Sequence, residues 1–157
     1  GCGFGDFYDY LRARGRHCRY IGVDINATLL DVARSRHPGL RFEERDILAQ
    51  PLSERFDYVV ESGVFNHRLA DNEAFARRML SAMYEACRLG VAANFVSDRV
   101  DYTDEELYYF NPKEMLRFGS RLSPYVTLRH EYPLYEFTVY IYRTPPRGLR
   151  VTHDQAD

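Results

Sequence analysis

The sequence predicts an α/β fold with a doubly wound, mostly parallel sheet that ends in an antiparallel β-hairpin. Short apolar segments alternate with amphipathic ones, which is typical of parallel strands joined by helices. The run GCGFGD opens the chain and leads into a helix-like segment. Because glycine has no Cβ, such a run lets the backbone turn tightly. Two β-rich segments, 126–129 and 137–142, follow each other across a short loop, and such neighbours pair antiparallel.

Helices are predicted where apolar residues recur every three or four positions between capping or stop residues. Asn26 is suited to cap one helix, and Asn111 followed by Pro112 is a typical start of another. The predicted helices lie at residues 7–14, from Asn26 to about 37, from about 73 to 88 with Gly90 closing it, and from starts at Thr103 and Asn111.

Strands are predicted at short apolar runs that end in a polar residue or a turn. The strongest signal is the run FDYVV at residues 56–60, which stops at Glu61. Ligands of open α/β sheets bind at the carboxyl ends of the strands, so polar residues at those ends are the first candidates for a site. The predicted strands lie at 20–23, 40–43, 56–60, 91–96, 126–129 and 137–142.

The glycine run normally follows a buried strand, yet neither an apolar strand nor an initiator methionine stands before Gly1. We therefore expect a sheet whose first strand is missing. One domain is expected over residues 1–143, because the chain is too short for two domains of ordinary size. The remaining residues, 144–157, are rich in proline, glycine and charge and are expected to form a flexible tail.

Composition argues against several classes of partner. The formal net charge is −2 and acidic and basic residues are interspersed, so no footprint for nucleic acid or an anionic membrane is visible. No apolar run approaches the ~20 residues that span a bilayer. The three cysteines are scattered without C-x-x-C spacing, which predicts neither a disulfide framework nor a zinc site and fits a reducing cytoplasm.

Four segments together resemble the class I S-adenosylmethionine-dependent methyltransferases, a Rossmann-like family, over residues 1 to about 143. They are the glycine run, VDINATLLDVA with Asp24, ERDIL with Asp46, and FDYVVESGVFNH. The family's first motif also has a strand and an acid before the glycines, and both are absent here. The resemblance implies S-adenosyl-L-methionine as the cofactor and calls for no metal ion.

The resemblance also implies a role for each matched segment. Asp24 matches the acid that binds the ribose hydroxyls, and Asp46 matches the acid beside the adenine amine. The glycines bring bare backbone into contact with the cofactor. The implied cofactor-binding residues are Gly1, Gly3, Gly5, Asp24, Ile25, Asp46, Ile47 and Glu61.

A dinucleotide-binding fold is the main competitor, because it also has glycines after a strand and an acid about 20 residues later. Its G-x-G-x-x-G pattern needs a third glycine, but that position is Asp6 when counted from Gly1 and Tyr8 when counted from Gly3. A carboxylate at Asp6 would also repel a pyrophosphate at the helix N-terminus. A sulfonium cofactor carries no phosphate and avoids this repulsion.

The candidate catalytic residues are Glu61 and His67, which flank the loop after the strongest strand. Glu61 is a candidate to hold the cationic methionyl end of the cofactor. His67 is a candidate base, because histidine exchanges protons near neutral pH. The alternative reading of His67 is a helix cap or a residue that only contacts the surroundings of the cofactor.

The candidate acceptor-binding residues are His67, Tyr108, Tyr109 and Tyr132, with ordinary packing as the alternative for each tyrosine. The expected reaction is methyl transfer to an O or N nucleophile of a small molecule, a metabolite or a sugar-like acceptor, by a monomer or homodimer. Two alternatives stay open. One is a protein methyltransferase, and the other is a catalytically silent relative that keeps the fold for interaction.

Overall fold

The computed structural model of this chain describes residues 1–146, so most of the expected tail, residues 147–157, lies outside the described part. The helices and strands follow the predicted order. They are α1 (Asp6–Ala13), β1 (Ile21–Asp24), α2 (Ala27–Arg36), β2 (Arg41–Glu44), β3 (Phe56–Glu61), α3 (Asn72–Ala86), β4 (Cys87–Val96), α4 (Pro112–Leu122), β5 (Tyr125–Arg129) and β6 (Glu136–Tyr142).

The strands form two sheets. β1 and β2 pair in parallel, and a four-stranded sheet has the order β3-β4-β6-β5. In the second sheet β3 and β4 are parallel, whereas β6 pairs antiparallel with both β4 and β5. The Rossmann-like α/β fold and its terminal antiparallel hairpin are therefore confirmed.

The two sheets are not joined by strand pairing. Within residues 1–146, β1 pairs only with β2, and β3 pairs only with β4. Tyr58 and Val60 of β3 are 60% and 43% exposed. This break fits the expectation of a sheet that lacks its first strand.

The larger core lies between the four-stranded sheet and the helices α3 and α4. Its centre is a group of fully buried phenylalanines, in which Phe65 stacks on Phe95 with ring centroids 4.8 Å apart. Phe110 meets Phe95 edge-on at 5.0 Å. Because Phe65 belongs to the loop after β3 and Phe110 to the segment before α4, this core holds both loops at the carboxyl end of the sheet.

A smaller core supports β1 and β2. Leu30 and Ala33 of α2 are fully buried against Phe42 of β2, and Cys2 and Tyr20 pack around them. The caps of the predicted helices agree with expectation, since Asn26 Oδ1 accepts a hydrogen bond from the Leu29 amide at 3.2 Å. None of the helices in residues 1–146 is long and apolar enough to cross a membrane.

Two details of the predicted elements are wrong. Thr103 does not start a helix: Asp104 Oδ1 accepts a hydrogen bond from the Glu106 amide at 2.8 Å, which closes a turn, and the Glu106 carbonyl pairs with the Arg68 amide. Gly90 does not end α3 but lies inside β4, where it pairs with Tyr142. Both errors come from tertiary pairing that overrides local signals.

Candidate cofactor site

The glycine turn at residues 1–5 is fixed against the end of β1. The Cys2 amide donates to the Val23 carbonyl at 2.9 Å, and the Gly5 amide donates to the Cys2 carbonyl at 3.0 Å. Gly3 and Gly5 have φ angles of 53° and 86°, a region in which side chains are strained. A Cβ at Gly3 would meet nothing within 4 Å, so its backbone faces open space where a ligand can approach.

The same turn contacts the loop that follows β3. A Cβ at Gly1 would lie 2.2 Å from Cγ2 of Val64, so any side chain there would displace Val64. The glycine turn, which lies beside the carboxyl end of β1, is thus in contact with the loop at the carboxyl end of β3. Segments at the carboxyl ends of two strands therefore meet at one place, which is where open α/β sheets bind their ligands.

Asp24 ties the glycine turn to the end of β1. Its carboxylate is buried, with 7% of the residue exposed, and each oxygen accepts one backbone hydrogen bond. Oδ2 accepts from the Gly3 amide at 2.8 Å and Oδ1 from the Asn26 amide at 3.0 Å. A carboxylate has about four acceptor positions, so each oxygen keeps capacity for a ligand hydroxyl. The neighbouring Ile25 is 74% exposed and presents an apolar surface beside it.

The loop with Asp46 lies next to Asp24. The Arg45 amide donates to the Asp24 carbonyl at 2.8 Å, which holds the two segments together. Asp46 is exposed, and its Oδ1 accepts from the Leu48 amide at 2.9 Å. Ile47 is half-buried and packs against the larger core, which fixes the position of this loop.

Glu61 is a buried carboxyl group at the carboxyl end of β3. Oε1 accepts from the Asn94 amide at 2.8 Å, and Oε2 accepts from the Val64 amide at 3.2 Å. Burial raises the pKa of Glu61 to about 8, although the two backbone hydrogen bonds oppose this rise. The carboxyl group thus joins β3, β4 and the loop, and its role toward the methionyl end stays a prediction.

His67 lies at the end of that loop with an exposed ring. Its backbone is held on two sides, because its carbonyl accepts from Nδ2 of Asn72 at 2.8 Å and the residue forms a β-bridge with Leu107. Asn72 is itself buried, and its Oδ1 accepts from the Leu69 amide at 2.7 Å. The main chain of His67 is therefore fixed while the imidazole remains exposed.

The three candidate tyrosines are placed differently. Tyr108 is joined to the loop after β3, because its amide donates to the Asn66 carbonyl at 2.8 Å and its ring packs edge-on against Phe110. The hydroxyl of Tyr109 accepts from the Asp104 amide at 2.7 Å and so stabilises its own loop. Tyr132 lies in the β5–β6 loop with Arg129 over its ring at 5.6 Å, and within residues 1–146 no hydrogen bond or ring contact joins it to His67.

Arg68 is a residue of this region that sequence reasoning missed. Its Nε donates to the Glu105 carbonyl at 3.0 Å and its terminal nitrogen donates to the Leu107 carbonyl at 3.0 Å. Its guanidinium also lies 5.9 Å from the ring centre of Tyr108. No local signal marks this role, because both acceptors are backbone carbonyls far along the chain.

Two comparisons with known proteins identify the family of this chain. Residues 1–90 match the family described as "Methyltransferase domain". The chain is 35% identical over 148 residues to the protein named "Putative methyltransferase Rv1506c" of Mycobacterium tuberculosis, a match that covers 90% of this chain and 89% of that protein. The chain therefore belongs to the methyltransferase domain family.

Solved structures show the same fold. Magnesium protoporphyrin IX methyltransferase from Synechocystis PCC 6803, with bound SAH, superposes with a TM-score of 0.69 at 16% identity over 92% of this chain and 71% of that one. CalS10, an amino pentose methyltransferase from Micromonospora echinaspora with bound SAM, gives 0.68 at 17% identity over 92% and 81% of the two chains. Its membership of the methyltransferase domain family makes the chain an S-adenosylmethionine-dependent methyltransferase, with S-adenosylmethionine as its cofactor.

The site fits this cofactor on structural grounds. The open side of Gly3 leaves room for a ligand at the backbone, and the buried Asp24 carboxylate has acceptor capacity for a diol. The exposed Ile25 offers an apolar contact for a planar ring. The rim therefore offers open backbone, a buried carboxylate and an apolar side chain, three features that suit a nucleoside ligand.

Proposed function

We propose that this methyltransferase transfers its methyl group to an O or N nucleophile of a small molecule, a metabolite or a sugar-like acceptor. One observation supports the position of the site above all others. The glycine turn contacts both Asp24, through the 2.8 Å bond from Gly3, and the loop after β3, through Gly1 and Val64. Cofactor-binding and acceptor-side segments therefore share one rim.

The cofactor residues are proposed as follows. S-adenosylmethionine, when bound, supplies a methyl group activated by a sulfonium centre. The glycine turn provides close backbone contact, Asp24 accepts hydrogen bonds from the ribose hydroxyls, and Asp46 lies beside the adenine amine. Ile25 directly follows Asp24 and Ile47 directly follows Asp46 in the chain. Both side chains supply apolar contacts.

The chain's own contribution to the reaction is mainly orientation. Alignment of two reactants supplies effective molarities of about 10⁵ M or more, so no covalent intermediate on the protein is needed. His67 is proposed to take the proton from the hydroxyl or amine, since its backbone is fixed and its ring is exposed. Tyr108 lines the acceptor side of this base, because it is bonded to the neighbouring Asn66.

Glu61 is proposed to position this machinery. The geometry favours that role, because both carboxyl oxygens already accept backbone hydrogen bonds and the group is buried. It fixes the start of the loop that carries His67. We also propose a direct contact between Glu61 and the cationic methionyl end of the cofactor. Such a nearby cation would favour the ionised form of this carboxyl group.

A small acceptor is supported by two observations. The formal net charge of −2 provides no electrostatic footprint for nucleic acid. The structurally similar proteins include enzymes named for a porphyrin and an amino pentose. We further propose that the methyltransferase domain spans residues 1–143 and works in a reducing cytoplasm as a monomer or homodimer, consistent with its three free cysteines.

The test has two parts. Calorimetry with S-adenosylhomocysteine should show micromolar binding by the purified protein, and Asp24→Ala should weaken it by at least tenfold, about 1.4 kcal/mol. Asp31→Ala is the matched control, because Asp31 is exposed and pairs with Arg34 on the outer face of α2. Absence of binding by the unmodified protein would overturn the proposed site.

The acceptor is then sought with S-adenosylmethionine labelled in its methyl group. The protein is incubated separately with a metabolite fraction and with a protein fraction of cell extract. Label in a small molecule supports the proposal, whereas label only in polypeptides identifies a protein methyltransferase. Cofactor binding without transfer to either fraction would indicate the catalytically silent relative.

A further inference from the structure

Asn72, the first residue of α3, is a buried polar residue that bonds to the loop carrying His67. Only 2% of the residue is exposed. Its Nδ2 donates to the His67 carbonyl at 2.8 Å, and its Oδ1 accepts from the Leu69 amide at 2.7 Å. Since one partner is a carbonyl and the other an N–H group, only one orientation of the side-chain amide satisfies both. Asn72 therefore fixes the two consecutive peptide groups on either side of Arg68.

Asn72 has a rigid support of its own, because α3 is anchored in the larger core. Asp71 caps this helix, since its Oδ1 accepts from the Ala74 amide at 2.9 Å. Ala76 and Leu80 of the same helix are fully buried. Functional groups held by helices or strands keep their geometry better than groups held by loops alone. The side chain of Asn72 thus ties the backbone at residues 67–69 to a helix of the core.

The backbone bonds on the other side of this segment lead to a second loop. The Arg68 amide donates to the Glu106 carbonyl at 2.9 Å, and the Tyr108 amide donates to the Asn66 carbonyl at 2.8 Å. These bonds join the loop after β3 to the loop after β4, so they survive a shift that moves both loops together. The two bonds of Asn72 join the segment to α3 instead and oppose such a shift.

The place of the His67 backbone determines where its imidazole can reach. The ring is exposed, so its nitrogens are placed by the backbone and two side-chain torsions. Proton transfer requires the base to lie about 2.6–3.2 Å from the atom that loses the proton. A displacement of about 1 Å at a reacting group costs up to about 10²-fold in rate. A residue that fixes this backbone can therefore control the rate without touching the acceptor.

We propose that Asn72 is a positioning residue for methyl transfer, which holds the backbone of His67 where the imidazole reaches the proton of the acceptor. The proposal rests on the proposed role of His67 as the base. In that step the acceptor oxygen or nitrogen takes the methyl group from the sulfonium and loses its own proton to the imidazole, so charge is conserved. Asn72 acts on the rate through His67 alone.

The experiment is a double-mutant cycle on the single-turnover rate of methyl transfer. The probes are methyl-labelled S-adenosylmethionine and the small-molecule fraction of cell extract. Asn72→Ala should lower the rate by about tenfold to 10²-fold. Starting from His67→Gln, the same change should lower it by less than about twofold, because the group that Asn72 positions is gone. Affinity for S-adenosylhomocysteine, measured by calorimetry, should stay within about twofold in every variant.

Asn111→Ala is the matched control, because it also removes two side-chain hydrogen bonds at the start of a helix, those with Asp98 and Lys113. Its rate should stay within about twofold of that of the unmodified protein. An unchanged rate in Asn72→Ala, or an equal fall with and without His67, overturns the role of Asn72 but leaves His67 as the base. An unchanged rate in His67→Gln overturns the base itself, and this inference with it.

A second measurement uses only the unmodified protein. Because the Leu69 amide donates to Oδ1 of Asn72, its hydrogen exchange should be at least about tenfold slower than in an unstructured chain. An unprotected Leu69 amide overturns the proposal even where Asn72→Ala fails to fold. No binding of S-adenosylhomocysteine by the unmodified protein overturns the cofactor site, and the proposed function with it.

Discussion

The buried carboxyl group of Glu61 accepts a hydrogen bond of 2.8 Å from the backbone amide of Asn94, while its second oxygen accepts from Val64. One side chain thereby connects the parallel strands β3 and β4 with the loop that follows β3. Its pKa, raised to about 8 by burial, makes this connection dependent on pH.

Glu61→Gln should change how stability depends on pH. An unfolded glutamate has a pKa of about 4.3, so between that value and about 8 the folded chain keeps a proton that the unfolded chain has released. Rising pH therefore favours unfolding of the unmodified protein. Relative to it, Glu61→Gln should gain on the order of 3 kcal/mol between about pH 5 and pH 8.

Urea denaturation at several pH values measures this difference. Glu85→Gln is the control, because Glu85 is exposed on α3, and its effect should be the same at every pH. A Glu61→Gln profile parallel to that of the unmodified protein would show that the carboxyl group is ionised in the fold.

Gly5→Ala should destabilise the chain more than Gly15→Ala. Both glycines have positive φ, 86° and 65°, and alanine there costs about 1 kcal/mol or more. A Cβ at Gly5 also meets the ring of His37 at 2.9 Å, whereas a Cβ at Gly15 meets nothing within 4 Å. We expect about 2–4 kcal/mol for Gly5→Ala, from strain and overpacking together.

Urea denaturation gives the two free energies, and calorimetry gives affinity for S-adenosylhomocysteine. Only Gly5→Ala should weaken binding, since only it displaces the turn. Equal losses of stability and affinity in both variants would mean that the contact between Gly5 and His37 is unimportant.

Arg68→Gln should loosen the segment at residues 105–108, which is proposed to line the acceptor side, without unfolding the domain. The arginine donates to two backbone carbonyls, those of Glu105 and Leu107, and bonds from a charged group contribute about 1.5–3 kcal/mol each. Hydrogen exchange of the Tyr108 amide should accelerate by about tenfold or more. Arg78→Gln, at an exposed position of α3, should leave this amide unchanged.

The opposite result would be informative. If the Tyr108 amide kept its protection in Arg68→Gln, the segment would be held by the backbone pairing of His67 with Leu107 and by the core around Phe110 alone.

His67→Gln should separate binding from transfer. Because the ring is exposed and its backbone is held by Asn72, affinity for S-adenosylhomocysteine should stay within about twofold of the original. The acceptor is the one found with labelled cofactor. The single-turnover rate of methyl transfer to it should fall by about 10²-fold or more, as for loss of a general base. Unchanged transfer in His67→Gln would remove histidine from the proton-transfer step.

Local signals in the sequence predicted the features that depend on a few neighbouring residues. Asn26 and Asn111 cap helices as expected, because an N-cap bond reaches only two or three residues along the chain. The site segments with Asp24 and Glu61 also lie at strand ends as predicted. These positions follow from the alternation of strands and helices.

Features created by contact between distant segments were not predictable in this way. Arg68 acts on carbonyls near residue 106, and Gly90 lies in a strand because Tyr142 pairs with it. The place of His37 beneath Gly5 depends on how α2 packs against α1. Periodicity and capping patterns contain no information about such pairs, since the partners are separated by many residues.

The open side of β3 has a consequence for handling the protein. Tyr58 and Val60 are exposed on a strand that pairs only with β4 within residues 1–146. Bare amides beside apolar side chains recruit strands from other molecules, so concentrated solutions of this chain should form aggregates that light scattering detects. Val60→Lys, which places a charge at that edge, should suppress them, so that the association of this chain in solution would depend on a single exposed strand.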